Sequence, residues 1–427
     1  RRWWLGLMAL CAAASQPLLA QPQPGSPNPD PDTPLAPNFR PVEGPGPGLS
    51  LHDALKLPPW MEFSVELEAE PLANGGGLFS SGAWSQQLTI GASFSSGLAK
   101  EPSQWSEADH WTVNTQLMQI NGPVNYGLNV GAAFPLQSTN HPSGLWLTEA
   151  TLERKEGLGP LSLKGGLMSL NPDFVDIPIL DFYVHSALDN TLNLTVFGLP
   201  INPLVAPGAQ ASLHLGQAGT VQLGAYWLDS QTQLAELFGV DPLQPQFKGS
   251  TQLVQWTFTN LPGTKRLEEP IQLGQRRIER QLPHPRLQLG AITSNTDVQG
   301  TNRVVYGALS LPLTLPFGLD HRLWAGVNVG LDPSNNSAPL FLSAGWAVQG
   351  PMRSRPHDVL ALGLGRTSFG PSLASGQSYE GVIELNYNAA LSSSLALGPV
   401  IQLILNPGGS GDVRSIVAAG LQFELSL

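Results

Sequence analysis

The alternation of apolar and polar residues that runs from Ser378 to the final residue constrains this chain more than any other feature. From Ile416 to Leu427 one phase reads Val417, Ala419, Leu421, Phe423, Leu425 and Leu427, while the other holds Gly420, Gln422, Glu424 and Ser426. Successive side chains of a strand point to opposite faces, so this is a strand with one oily and one wet face. Chain ends of soluble domains fray, whereas a barrel in a bilayer has to close its sheet with its last strand. The pattern predicts an all-β fold, a transmembrane antiparallel β-barrel.

Composition points the same way. Only 12% of the 427 residues are charged, against roughly 25% in an ordinary soluble domain. No apolar run long enough for a helical span exists beyond residue 20, so strands are the remaining way across a bilayer. Residues 1–20 read as a signal peptide, with Arg1 and Arg2 before an apolar stretch and Leu18-Leu19-Ala20 as the cleavage site. The single cysteine, Cys11, lies inside that stretch, which excludes a disulfide framework or thiolate metal site downstream. The chain has 21 basic against 32 acidic residues, a balance that argues against nucleic acid as a partner and repels anions from any pore it lines.

Residues 21–50 carry ten prolines and are expected to be a disordered periplasmic tether without helix or paired strand. Ser50 to Leu57 suits one short helix. Residues 51–427 form the barrel domain. Dyad segments recur from Met61 to the end, the clearest being Val124, Tyr126, Leu128, Val130, Ala132 and Phe134; Leu192 to Val196 is a shorter example. Eighteen segments are readable, and adjacent ones can be parts of one bent strand, so the barrel is expected to have 16 strands, with 18 open. Leu261 to Arg286 breaks the pattern and holds Lys265, Arg266, Arg276, Arg277, Arg280 and Arg286. It is read as a solvated loop, or else one that folds inward or grips lipopolysaccharide phosphates. Leu234 to Gly239 suggests a helical turn in another long loop.

Three passages near the end of the chain resemble the carbohydrate-selective porins of the OprB type. Gly345 to Gly363, with Arg355-Pro356-His357-Asp358, is similar to a strand-turn-strand of that family. Tyr379-Glu380-Gly381-Val382-Ile383-Glu384-Leu385-Asn386-Tyr387 resembles one of its strands, and Pro399 to Gly409, with Gln402 and Asn406-Pro407-Gly408-Gly409, is the most specific of the three. The resemblance implies a bacterial outer-membrane porin that passes sugars and other small hydrophilic solutes by passive diffusion, assembles as a homotrimer among outer-membrane lipid and lipopolysaccharide, and needs no cofactor. Two departures stand out. Leu427 replaces the usual aromatic terminal residue, which implies a weaker assembly signal or a different insertase, and the position of an envelope anchor holds only the Pro-rich segment.

A sugar pore needs amides, carboxylates and guanidinium groups for hydroxyls, and aromatic faces for the apolar side of a pyranose. Glu380, Glu384, Asn386 and Asn388 stand opposite Ile383, Leu385 and Tyr387, and are expected to point into the lumen. Glu62, Glu66 and Glu68 oppose Phe63, Val65 and Leu67, and Gln402 opposes Ile401 and Leu403. Such residues either contact solute or merely solvate a polar lumen. Arg353, Arg355 and Asp358 form a charged ring at a constriction, or Arg355 and Asp358 pair to close a turn. The tryptophans suit an interfacial girdle, with Trp146 and Trp105 the best candidates for sugar stacking. No H-E-x-x-H, Cys/His cluster or G-x-S-x-G is present, so the pattern does not point to an enzyme. A general nutrient or inorganic-ion pore, and a structural or adhesive barrel plugged by Leu261 to Arg286, remain the alternatives.

Overall fold

The computed structural model describes residues 42–96, 110–123, 126–155, 159–189, 199–228, 248–371 and 377–427. The signal peptide, most of the Pro-rich stretch, Trp105, Leu192 to Val196 and Leu234 to Gly239 lie outside them. The chain forms β1 (Val42–Glu43), α1 (Leu51–Leu55), β2 (Met61–Gly76), β3 (Ser81–Ser96), β4 (His110–Asn121), α2 (Tyr126–Asn129) and β5 (Gly144–Lys155). Next come β6 (Leu161–Met168), β7 (Ala206–His214), β8 (Thr220–Trp227), β9 (Gly249–Phe258), β10 (Ile271–Leu273), β11 (Arg276–Ile278) and β12 (Leu287–Thr296). The remainder is β13 (Gly300–Pro312), β14 (Asp320–Gly330), β15 (Leu340–Gln349), β16 (Val359–Ser368), β17 (Tyr379–Ser392), β18 (Leu395–Leu405) and β19 (Ile416–Ser426).

Sixteen of these strands, β2 to β9 and β12 to β19, close one antiparallel barrel in which β19 pairs with β2. Beyond the last ladder residue, Leu427 exchanges backbone hydrogen bonds with Val65 at 2.9 and 3.2 Å, so the closing strand is used to its end. The end where β2 starts and β19 finishes is called proximal here, the opposite end distal. Outward residues such as Leu223, Leu289, Leu385, Ile401, Val417 and Leu421 are exposed and apolar, the lipid face that the alternation required. Trp111, Trp256 and Trp346 stand outward near proximal strand ends, and Trp84 and Trp227 near distal ones, giving two interfacial aromatic belts. Leu385 lies midway along β17 on that face. Leu385→Arg is expected to cost about 2–4 kcal/mol at the bilayer midplane, read as a lower denaturant midpoint of the folded barrel in vesicles.

Two expectations are corrected. Tyr126 to Phe134, the described part of the clearest dyad in the sequence, is no wall strand. It contains α2, with Val130 N–H donating to Tyr126 C=O at 3.2 Å, and the segment lies between β4 and β5. Positions i and i+4 fit both a strand phase and a helix face, and Tyr126, Val130 and Ala132 are buried because the segment packs against the inner wall. The end of the Pro-rich stretch does pair: β1 joins β11 in parallel, β11 joins β10, and Glu43 bonds Arg276 at 2.7 Å. Val42 and Glu43 lie between two prolines yet keep their own N–H groups.

Candidate pore constriction

Two distal connections turn into the lumen. The first, residues 126–143 as described, is held by a clamp of wall side chains. Glu70 accepts hydrogen bonds from the Ser138 hydroxyl (2.6 Å), the Thr139 N–H (3.0 Å) and the Thr139 hydroxyl (2.7 Å). Glu380 accepts from the Ala133 N–H at 2.6 Å and the Gly408 N–H at 2.7 Å, tying this loop to the Pro407-Gly408-Gly409 turn. Gln402 donates to Leu136 C=O at 2.9 Å.

The second inner loop, described over residues 169–189 and 199–205 between β6 and β7, packs against the inner wall. Near its start Lys164 bridges Glu149 at 2.9 Å and Asp173 at 3.0 Å. Val175 N–H donates to Gln255 (2.9 Å), while Gln222 and Gln288 donate to the carbonyls of Asp173 (3.0 Å) and Asp176 (2.7 Å). Farther along, Tyr183 donates to Leu362 C=O at 3.0 Å and receives the Trp324 indole N–H at 3.0 Å. Glu384 takes the N–H groups of Val184 (2.7 Å) and His185 (2.8 Å), and Asn386 donates to Phe182 C=O at 2.9 Å. Small inward residues make the room: a Cβ on Gly363 would stand 2.7 Å from the Tyr183 ring, and one on Gly224 2.8 Å from that of Phe174. Much of the inner wall is therefore covered by packed loop side chains.

This reassigns the residues singled out in the sequence. Glu380, Glu384, Asn386 and Gln402 lie on the inward phase, none more than 3% exposed, and their hydrogen bonds go to the inner loops, to the Gly408 turn, to Gln422 on the wall and from Gln402 to Glu384. Trp146 is buried with Met118 and Ile120 and donates to Pro142 C=O at 3.0 Å, so its face is not open to a solute. Trp324 stands on the wet phase against Tyr183, rings 5.6 Å apart, and not in a belt. Arg353, Arg355 and Asp358 lie in the proximal β15–β16 connection, away from the inner loops. Arg355 bonds Asp358 at 2.8 Å and Tyr387 donates to the same carboxylate, which closes the turn. Leu261 to Arg286 is also proximal. It lies against the inward ends of β14 and β15, where Arg280 bonds Asp320 at 2.6 Å and Gln281 N–H donates to Gln349 at 2.8 Å.

Glu66, by contrast, borders open space. A cavity of about 350 Å³ lies between the β19, β2, β3 and β4 wall and the second inner loop, and touches Glu66, Glu424, Gln116 and Asp181. A second, about 180 Å³, continues between the two inner loops past Ser138 and His141. The two cavities adjoin, sharing Glu68, Gln87, Met118, Asp189 and Asn202 in their linings. Neither lining includes a lysine or arginine. Burial lowers His141 to about 4, so it is neutral at pH 7. This shared lining is made of carboxylates and amides beside Met118, with two of its five members, Asp189 and Asn202, on a loop that the sequence pattern did not reveal. Asp181, Asp189 and Asn202 fall in none of the dyad segments, so alternation alone gave no sign of them.

The model of the carbohydrate-selective porin, OprB family, matches residues 105–427. The chain belongs to that family. Among solved structures, the high-pH structure of Pseudomonas putida OprB superposes with a TM-score of 0.68 at 17% identity, covering 86% of this chain and 94% of that one. The low-pH structure of the same protein gives a TM-score of 0.48 at 13% identity over 86% and 92% of the two chains. A mutant of Rh. blastica porin gives 0.46 at 8% over 86% and 100%. No curated protein matches the chain at a significant level. Family and fold place this porin barrel in a bacterial outer membrane.

Proposed function

We propose that the barrel passes small hydrophilic solutes, carbohydrates among them, by passive diffusion through the neck formed by Glu68, Gln87, Asp189 and Asn202. One observation carries this reading: the lining that the two inner cavities share offers hydrogen-bonding groups from both wall and loop, with a single apolar member, Met118. Carboxylate and amide oxygens accept hydroxyl hydrogens, and amide N–H groups donate to hydroxyl oxygens. Longer loops lie outside in such barrels, so the distal end faces the exterior. Trimeric assembly belongs to this proposal on family grounds. Proteoliposomes are expected to swell in iso-osmotic glucose or sucrose and not in a large oligosaccharide; swelling rates equal to those of empty liposomes would sink the reading.

A second reading, an inorganic-ion pore without sugar selectivity, is favoured by the absence of basic residues from the neck. Bilayer currents separate the two. Block by millimolar sugar supports the first, and cation-preferring current indifferent to sugar supports the second.

A further inference from the structure

The connection from β9 to β12 does not stay at the rim of its own strands. Its later part bonds inward-facing side chains at the proximal ends of β14 and β15. Arg280 reaches Asp320, Arg322 Nε donates to Pro283 C=O at 3.0 Å, and Gln349 donates to Glu279 C=O at 2.7 Å. In the barrel order β15 is three strands from β12, roughly 14 Å at about 4.8 Å per strand. The β10–β11 hairpin is therefore carried inward at the proximal mouth, and its buried Ile271, Ile278 and Leu282 hold it together as one unit.

The segment from Val42 to Leu49 ties this hairpin down at two anchors. At the first, β1 pairs with β11, Glu279 N–H donates to Glu43 C=O at 2.9 Å, and Arg276 Nε and Nη2 each bond the Glu43 carboxylate at 2.7 Å. At the second, the segment lies on the turn between β17 and β18. Ser393 N–H donates to Gly46 C=O at 3.3 Å, while the Ser394 hydroxyl accepts from Leu49 N–H at 2.8 Å and donates to Leu49 C=O at 3.1 Å. Between the anchors runs Gly44-Pro45-Gly46-Pro47-Gly48. Its prolines have no N–H with which to extend a ladder, and a Cβ on Gly48 would collide with the Ser393 hydroxyl. The sequence thus makes a thin strap that fits closely over the turn.

The first anchor is the weaker. Its ladder is two residues long, and its ion pair is open to water, with Arg276 48% and Glu43 41% exposed. Exposed pairs hold weakly, whereas the wall bonds of Glu279 to Pro283 involve inward side chains that are almost wholly buried. Release at β1 therefore comes before release from the wall.

We infer that Val42–Leu49 is a latch and that the β10–β11 hairpin is the gate it holds at the proximal mouth. With β1 paired the exit is narrowed; with β1 released the hairpin swings on its β14 and β15 anchors and widens it. This goes beyond the sugar-passing reading, because it sets the width of the exit for any solute.

Two readouts on the full chain test it. In planar bilayers Glu43→Arg, which sets like charges together, is expected to raise the time spent in a higher-conductance state at least threefold. Exchanging the pair, Glu43→Arg with Arg276→Glu, should restore the wild-type value. Gly48→Val acts at the second anchor and should give the same rise without touching the ion pair. In detergent, trypsin should cut Gly48→Val after Arg276 or Arg277 at least threefold faster than wild type, since cutting follows the population of the opened form. Current and cutting unchanged in both single variants overturn the latch, and so does a rise in Glu43→Arg that the exchanged pair fails to reverse. Faster cutting without a change in current shows a strap that holds the hairpin but no gate, which also overturns the inference. A wild-type barrel that carries no current rejects the passage and the gate together, whereas wild-type current that no variant alters rejects the gate alone.

Discussion

Replacing Glu384 by Ala is expected to raise single-channel conductance and make the open current noisy, because it frees the middle of the second inner loop. This carboxylate accepts the N–H groups of Val184 and His185 and one N–H of Gln402, three donors converging on two oxygens. An acceptor-only carboxylate suits all three. Hydrogen bonds to a charged group are worth about 1.5–3 kcal/mol each, so the two loop bonds together hold about 3–6 kcal/mol. That exceeds what is needed to move a loop from rare to frequent opening, since about 1.4 kcal/mol is a tenfold change in population. The wall depends on it far less, because β17 keeps its backbone ladders to β16 and β18. Glu384→Gln is expected to behave similarly despite its shape, as its NH₂ group would face an N–H donor. Planar-bilayer recording reads the effect; unchanged conductance and noise in Glu384→Ala would show that the loop is held elsewhere.

The same residue shows where sequence reasoning reached its limit. A wall strand has lipid on one side, which forces every second residue to be apolar, so β19 or β17 can be read from period alone. That rule puts Glu384 and Gln402 on the inward phase, where both are fully buried. What they face is decided by the inner loops, and these pack as a soluble core does, with Phe174, Tyr183 and Leu188 buried on no fixed period. Val124 to Phe134 imitated a strand for that reason. The candidate site divides along the same line. Its wall half, Glu66 and Glu68, was legible as an acidic ladder, while Asp181, Asp189 and Asn202 depend on a loop whose path only the tertiary contacts define. Glu380, Glu384, Gln402 and the Asn406-Pro407-Gly408-Gly409 turn accordingly clamp the inner loops in place and line neither cavity.

Neutralising the loop side of the neck, with Asp181→Asn and Asp189→Asn together, is expected to remove most of the cation preference of the pore. Both carboxylates face Glu66, Glu68 and Glu424 across the passage, with no lysine or arginine on its lining to offset them. One unit charge acts on an ion at about 4 Å with about 1 kcal/mol even in full water dielectric, a factor of about five in occupancy. The double variant should therefore shift the reversal potential in a potassium chloride gradient well toward zero. The wild-type preference also has a predictable pH dependence. Burial first, then the like charges of Glu68, Glu70, Asp181 and Glu384, holds the Asp189 carboxyl well above the usual range. A raised carboxyl loses its charge early as pH falls, so cation preference should decline before ordinary carboxylates protonate near pH 4. The sign for stability is the reverse. In the folded state Asp189 keeps a proton that the unfolded chain releases, so its contribution favours folding at low pH and is lost as pH rises through the folded-state value. Acid should thus quiet the loop while weakening selectivity, and Asp189→Asn should abolish the Asp189 step in both. A selectivity that keeps its full size and pH profile in the double variant would place the filter on the wall carboxylates alone.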